Sequence, residues 1–498
     1  MSEKAKVKSE KKTPLSRGDR QWSVQRNCQG CVDGRTSGVR THSRLHAPSE
    51  HTPHSTNHPP AGGFCIRFSP LGRGFIGTLL IFLILVIPTF AQDKSPIKRP
   101  GELRILESYF QIAIEQNPEL ASLKKNVEAQ RQRAPQVRSL PDPEVSIGFY
   151  LNPDMEADLA SRFSAGVMQM FPWFGTLDTR GNVEESISEA MNHSLTARQL
   201  NILREIQDLW FEYFRLNHHV HVNMDILNIV RDLQSLLEAR YESGRAGQSD
   251  LLRLQMEEQR ILNTIDKLED EKNPRREEFN ALLNREPGDE IEVPARLPER
   301  MAAWSKDELF EFAQNRHPGF SRLEAQRNQY RNEAELARLE GRPSFGLGLE
   351  YTGSDFGMMS MMDLDPIFAG MATIRIPIYR GKYRAQKKEA QLQIQATDHL
   401  ETDLTNRLHS DIEKAMKRLR DGQREYLLIS EELLPRSEQV LELLSEEYGT
   451  GQVRFDELLQ VLRELLALEN EKVEALAEQN KAMAEIEQLI ANELQVID

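Results

Sequence analysis

Four short motifs recur in the same order in the two halves of this 498-residue chain, and this repeat restricts the possible folds more than any other feature. The offset between matched positions stays between 200 and 207 residues. The matched pairs are Pro118 with Pro318, Pro143 with Pro343, Pro172 with Pro377, and Tyr241 with Tyr448. A fixed order at a nearly constant offset predicts two tandem copies of one unit, at 104–294 and 295–498.

Each copy contains two short segments in which apolar residues alternate with small or polar ones, as in a β-strand with two unlike faces. In the first segment, Val145, Ile147 and Phe149 alternate with Ser146 and Gly148. Prolines follow the strands and end them, because proline lacks the amide donor that a sheet needs. The predicted strands lie near 144–150, 162–171, 345–351 and 368–378.

Helical patterns occupy most of the remaining chain, beginning with segments at about 104–138 and 306–340. From about 180 to 240 no proline interrupts the pattern, which corresponds to a helix of roughly 90 Å. Apolar residues at steps of three and four predict coiled-coil packing in both copies. These residues are Leu203, Ile206, Trp210, Tyr213, Val220, Met224 and Leu227 in the first copy, and Leu458, Leu462, Leu465, Leu476, Met483, Ile486 and Ile490 in the second.

Glycines mark a turn after the long helix of each copy, because glycine allows the positive φ at which many helices end. These glycines are Gly244, Gly247, Gly449 and Gly451. We expect Ser249 or Asp250 to cap the helix that follows the first turn. In each copy, a helix of about forty residues then runs back along the long one.

These elements predict a mainly α fold with a small β part, built from long antiparallel coiled-coil hairpins. Four strands are too few to close a barrel within one chain, and an open sheet in lipid would leave backbone groups unpaired. Strands with one apolar face and one face of small or polar residues are nevertheless typical of an outer-membrane barrel. A strand of about ten residues is also long enough to cross a bilayer at a tilt. We therefore expect several copies to pool their strands; the alternative is a soluble coiled-coil scaffold with a small sheet.

Residues 67–91 are predicted to form a secretory signal peptide, because Arg67 and Arg73 precede an apolar stretch and Ala91 ends a small-residue cleavage motif. The apolar run is shorter than the roughly 20 residues of a spanning helix, which disfavours a membrane anchor. Residues 92–103 are predicted to be a linker. Residues 1–66 are interpreted either as a disordered extension or as the product of a start codon assigned too early.

Charge and cysteine usage exclude several functions. The three cysteines, Cys28, Cys31 and Cys65, precede the predicted cleavage site, so the mature chain has no disulfide or thiolate metal site. The first 91 residues hold 13 of the 63 Lys and Arg but only 5 of the 77 Asp and Glu. The rest is therefore acidic and unsuited to binding nucleic acid. It also lacks nucleophile, phosphate-loop and zinc motifs, so neither enzymatic activity nor a cofactor is predicted.

The duplicated unit, the signal peptide, "QMFPWFG" and the turns "YESGRAGQSDLL" and "YGTGQVRFDELL" resemble the TolC-type outer-membrane efflux proteins. The resemblance covers about 104–495. It implies a homotrimer whose twelve-stranded β-barrel continues into an α-helical tunnel through the periplasm of a Gram-negative cell. It also implies two partners, a periplasmic adaptor (membrane fusion) protein and an inner-membrane RND-type pump or ABC transporter.

The resemblance assigns adaptor contact to the two turns, whereas ordinary turn chemistry would explain the same residues without a partner. The assigned residues are Tyr241, Gly244, Asp250, Tyr448, Gly451 and Glu457. The resemblance further implies an acidic pore constriction at Asp456 or Glu457, the alternative being a solvated capping carboxylate. Gln460 departs from the family pattern, because many relatives have a second aspartate there.

Aromatic residues cluster where strands give way to helices, at Phe171, Trp173, Phe174 and Tyr379. They are predicted to lie at the membrane–water boundary. The alternative is a buried cluster that anchors strand to helix.

Two segments are candidates for metal contact. Met358, Met359, Met361 and Met362 are thioethers of the kind that bind Cu(I), although methionines also fill irregular loops. His218 and His221 share a helix face and are the second candidate, although they could equally be solvated histidines without a metal.

Because of the methionines, the resemblance favours the CusC-like branch. We therefore expect an outer-membrane exit duct for copper or silver ions, with drug efflux or type I secretion as alternatives.

Overall fold

A computed structural model describes residues 100–150, 162–301, 303–354 and 367–492. The predicted extension, signal peptide and start of the linker lie outside the described residues, as do Met358, Met359, Met361 and Met362. The helices are α1 (Arg104–Gln116), α2 (Pro118–Arg131), α3 (Arg133–Arg138), α4 (Thr176–Glu242), α5 (Gln248–Leu283), α6 (Lys306–Arg316), α7 (Pro318–Glu340), α8 (Arg380–Leu427), α9 (Leu434–Thr450) and α10 (Phe455–Leu489). The strands are β1 (Glu144–Tyr150), β2 (Arg162–Phe171), β3 (Ser344–Ser354) and β4 (Ile367–Arg375).

The helical patterns predicted before the strands are helical in the structure, and short breaks divide each of them into separate helices. The first pattern forms α1 to α3 and the second forms α6 and α7, with Pro118 and Pro318 each beginning a new helix. Proline suits the first helical position, where no amide donor is needed. The side chains of Asn117 and His317 each accept a hydrogen bond from an amide of the new helix, at 3.0 and 3.1 Å.

The long helices of the two halves differ in continuity. Helix α4 runs through 67 residues without a break. Its counterpart in the second half, formed by α8 and α9, contains a π-helical turn at Leu428–Leu433. Pro435 lies two residues after this turn, lacks an amide donor, and crowds with its ring the carbonyl group four residues earlier, inside the turn. The wider π turn accommodates this crowding.

The predicted apolar stripe of α4 is buried except for Met224, which is exposed while the neighbouring Asn223 occupies the buried position. A straight α-helix has 3.6 rather than 3.5 residues per turn, so a seven-residue repeat drifts around its surface. On the returning helix α10, every predicted stripe residue from Leu458 to Ile490 is buried.

Apolar clusters hold the described helices together. The largest surrounds Trp210, whose indole nitrogen donates to the carbonyl oxygen of Glu292 at 2.9 Å. A second lies around Leu254 and Leu458, where α4, α5, α9 and α10 meet near the two turns. A third packs α6 against α8 and α10 around Ile412. The helical hairpins are therefore held together by apolar packing both along their length and near the turns.

The strands form one antiparallel sheet in the order β1-β2-β3-β4, and β2 pairs with β3 across the two halves of the chain. Strand β4 ends at Arg375, before the predicted end at 378, because Pro377 cannot extend the ladder. Strand β3 instead continues to Ser354, beyond the predicted 351. Within the described residues, β1 and β4 each have one unpaired edge. No described helix has the length and apolar character needed to span a bilayer.

Candidate functional site

The two faces of the sheet differ in chemistry. Register places Val145 opposite Val167 on one face and Ser146 opposite Gly166 on the other. The first face carries large apolar side chains that are well exposed, among them Val145 at 72% and Phe368 at 78%. The second carries glycine, serine, threonine and methionine. Contiguous exposed apolar surface of this kind is typical of interaction sites, so the first face is a candidate contact surface.

The aromatic residues at the strand–helix junction divide into two groups. Trp173 is partly buried, and its ring centroid lies 6.0 Å from those of Phe174 and Phe345. Phe171 is partly buried as well. Phe174 and Tyr379 are 81% and 80% exposed. Trp173 thus packs at the strand end, while Phe174 and Tyr379 are exposed, and their position at a membrane–water boundary stays a prediction.

The turns after α4 and α9 share one glycine conformation. Gly244 and Gly451 have φ of 72° and 85°, which non-glycine residues rarely adopt. Gly247 also lies in the first turn, as the extended residue before α5, whereas Gly449 lies inside α9 and not in the second turn as predicted.

The predicted capping of α5 by Ser249 or Asp250 is wrong. Gly247 occupies the cap position, which has no side-chain hydrogen bond, and both residues lie within the first helical turn. Their side chains contact each other instead, with the Ser249 hydroxyl 3.4 Å from a carboxylate oxygen of Asp250. A carboxylate there still favours the helix electrostatically, because it lies near the positive end of the helix dipole.

The matched tyrosines of the two turns have unlike environments. Tyr241 is 44% exposed, whereas Tyr448 is 6% exposed and packs against Phe455 with ring centroids 5.7 Å apart. Burial raises the pKa of the Tyr448 phenol, and the charge of Asp250 adds to this effect. The Tyr448 side chain therefore stabilises the turn and is not available for a partner.

Both acidic residues predicted to line a constriction have basic partners. Asp456 pairs with Arg253 of α5, and Glu457 lies 3.3 Å from Arg454 of its own turn. Arg454, not a carboxylate, occupies the position before α10, so the alternative of a capping carboxylate is wrong for both. Gln460 is exposed one helical turn further on.

A second link between α5 and α10 was missed by the sequence analysis. Glu257 is buried, and its carboxylate accepts from Arg463 at 2.6 Å and from Arg260 at 3.2 Å. The hydrogen bond from Arg463 lowers the pKa of Glu257. Charge pairing across helices depends on which faces meet, and no local pattern in the sequence reveals that.

Exposed apolar residues near the turns were also missed. Leu252 and Met256 are exposed on α5, and Val440 and Leu443 are exposed on α9. Their spacing of four and three residues places each pair on one helix face. That spacing was the signal that could have found them.

The histidine pair is engaged in ordinary contacts. The two ring nitrogens of His218 lie 3.1 and 2.8 Å from the carbonyl oxygens of Phe214 and Ala295, and its ring stacks on that of Phe214. His221 contacts the carbonyl oxygen of Asn217 at 2.7 Å. Among the described residues, no group of three or more His, Cys, Asp or Glu side chains could hold a metal ion.

Comparison with known proteins adds evidence on the fold. No protein-family model and no curated protein matches the sequence. Among solved structures, the outer-membrane channel OprN matches with a TM-score of 0.65 and 16% identity, over 80% of this chain and 94% of that one. The outer membrane protein VceC from Vibrio cholerae matches with a TM-score of 0.65 and 15% identity, over 78% of this chain and 96% of that one. CusC, a protein reported to form a transmembrane channel, matches with a TM-score of 0.61 and 15% identity, over 80% of this chain and 96% of that one.

These likenesses extend over nearly the whole of each neighbour but do not favour CusC over the others, so the predicted CusC-like branch stays a prediction. At these identities they establish shared architecture. The mainly helical chain with its small antiparallel sheet has the fold of these outer-membrane channel proteins.

Proposed function

We propose that this protein is the outer-membrane exit duct of an efflux system, passive and without enzymatic activity. One observation carries the proposal: an antiparallel sheet with an exposed apolar face and two unpaired edges is joined to long helical hairpins. Lipid would cover the apolar face, and only closure into a barrel would satisfy the edges in a membrane. The fold shared with OprN, VceC and CusC supports this function.

In the proposed assembly, three copies of a tandemly duplicated chain join β1 of one copy to β4 of the next. Twelve strands then close a barrel in the outer membrane of a Gram-negative cell, and the helical hairpins continue it as a tunnel into the periplasm. Phe174 and Tyr379 would lie at the lipid boundary, with Phe171 and Trp173 packed behind them.

A periplasmic adaptor is proposed to contact the turn end of the hairpins, linking the duct to an RND-type pump or ABC transporter. Tyr241, Gly244, Asp250, Gly451 and Glu457 would form this surface, with Tyr448 supporting it from within. The apolar pairs on α5 and α9 are suited either to the adaptor or to the neighbouring copy.

The acidic constriction is proposed at the same end. Three copies of Asp456 or Glu457 around one axis would attract cations and repel one another. In this structure Asp456 pairs with Arg253, and this pair would offset the charge that Asp456 brings to a constriction. Copper or silver remains the cargo proposed from the methionines at 358–362, with drugs and secreted proteins as alternatives.

Membrane fractionation of cells producing the full chain tests the duct. We expect the protein in the outer-membrane fraction, extracted only by detergent, with the mass of three copies by light scattering. A monomer that stays soluble without detergent would contradict the proposal and favour the scaffold. Cargo is tested separately: deletion of the gene should sensitise cells to silver, whereas sensitivity to dyes alone would leave the duct intact and remove the metal assignment.

A further inference from the structure

The small-residue face of the sheet holds three methionines in two adjacent rows of the strand register. Strand register places Met168, Gly348 and Met371 in one row across β2, β3 and β4, and Met170, Gly346 and Thr373 in the next row on the same face. Glycine thus occupies the centre of both rows. The four outer positions are three methionines and a threonine.

Distances show how closely these side chains gather over the central glycines. A β-carbon at Gly346 would lie 2.6 Å from the sulfur of Met170 and 3.6 Å from the sulfur of Met168. The Thr373 hydroxyl oxygen lies 3.9 Å from the Met168 sulfur. Two sulfurs and one hydroxyl therefore converge above the same backbone position, which only glycine leaves free.

The distribution of methionine between the two faces is one-sided. Every methionine in the described strands lies on this face, and none lies on the exposed apolar face. Away from the strand ends, no other large apolar residue of the described strands shares it. Methionines that merely supplied hydrocarbon for apolar surroundings would be expected on the opposite face.

We infer that Met168, Met170 and Met371 form a binding site for a soft monovalent cation of the Cu(I) or Ag(I) class, with the Thr373 hydroxyl beside it. Two or three thioethers are suitable ligands for such ions and poor ligands for hard cations such as Mg²⁺ or Ca²⁺. The orientation of this face toward a channel rests on the proposed function, but the binding chemistry does not.

Charged residues on the same face lie on both sides of the two methionine rows. Glu144 is opposite Met168, and Glu350 lies in the next row toward the far end of the strands. Arg375 is opposite Ser344 at the helix end. The carboxylates favour a cation at the methionines, while the arginine opposes its movement toward the helices.

Silver binding to the purified full chain in detergent tests the inference, with silver nitrate in chloride-free buffer followed by calorimetry. The reference protein carries Leu at 358, 359, 361 and 362, so that those thioethers do not contribute. Adding Met168→Leu, Met170→Leu and Met371→Leu should remove about one silver equivalent per chain. The matched control is Met224→Leu, Met256→Leu and Met301→Leu, three exposed methionines outside the sheet, and it should bind as the reference does.

A second measurement requires no loss of a side chain. In the reference protein labelled with ¹³C at the methionine methyl groups, silver should shift the signals of Met168, Met170 and Met371 and leave that of Met301 in place. The inference is wrong if these signals do not move, or if the two triple variants lose equal amounts of silver. In that case the methionines only fill space over the glycines, and the outer-membrane location of the protein is unaffected.

Discussion

Arg240 and Tyr448, which lie on different halves of the chain, are joined by two kinds of contact. The Arg240 guanidinium donates to the carbonyl oxygens of Tyr448 and Gly449, both at 2.6 Å, and its central carbon lies 4.7 Å from the centroid of the Tyr448 ring. One side chain therefore holds the end of α9 against the end of α4 by bonding carbonyl groups in the last turn of that helix.

Replacing Arg240 with lysine should loosen the second turn, because an ammonium group cannot reproduce this geometry. We expect the opening free energy of the turn to fall by about 1–2 kcal/mol. Hydrogen exchange of the Gly451 amide, which donates to Glu447 at 3.0 Å, should then accelerate by about 5- to 30-fold. Arg231→Lys on the same helix is the control, since Arg231 pairs at the surface with Glu258. Equal exchange in both variants would show that Arg240 does not hold the turn.

Replacing either of two nearby glycines, Gly449 and Gly451, with alanine should change the stability of the protein in opposite directions. Gly451→Ala should destabilise the turn by about 1 kcal/mol, because its φ of 85° is unfavourable for a residue with a β-carbon. Gly449→Ala should stabilise α9 by about 0.5–1 kcal/mol, since this glycine is helical and a β-carbon there meets no atom within 4 Å. Melting temperatures of the two variants check the signs, and a shift in the same direction for both would refute this account.

His219 should make stability depend on pH. Burial, aided by the charge of Arg215, lowers the pKa of His219 to about 4. The ring accepts from Arg215 at 3.3 Å, which requires the neutral form. Between pH 6.5 and 4 the unfolded chain binds a proton here that the native chain does not, so stability falls as the pH drops, by up to about 3 kcal/mol.

His219→Gln should flatten this dependence when melting temperatures are measured from about pH 7.5 to about pH 4. His221→Gln on the exposed side of the same helix serves as the control and should retain the slope of the parent. If both variants keep that slope, His219 does not titrate in the way described.

Charge on the two faces of β1 should have unequal effects on membrane insertion. Ile147→Arg places a cation on the apolar face, where lipid contact would cost about 2–4 kcal/mol. Ser146→Arg places the same charge on the opposite face of the same strand. We expect the first variant to be depleted from the outer-membrane fraction and the second to be retained. Equal amounts of both in that fraction would contradict the assignment of lipid to the apolar face.

Much of the local structure followed from short-range chemistry that the sequence displays. Alternation at Val145, Ile147 and Phe149 indicated a strand because neighbouring side chains on an extended backbone point to opposite faces. The helical stripe from Leu458 to Ile490 indicated a buried face for the same geometric reason. Prolines and glycines marked ends of elements, because each restricts or frees the backbone at its own position.

The tertiary structure decided which of these residues meet. Tyr241 and Tyr448 occupy matching places in the sequence, yet only Tyr448 is buried, because Arg240 and Phe455 approach it from other helices. Register across three strands placed Met168 and Met371 in one row on either side of Gly348, although about two hundred residues separate them in the sequence. Backbone preference depends on neighbours along the chain, whereas contacts between helices and strands depend on how whole elements pack. The sequence alone therefore determined the elements and their order, and packing determined the sites.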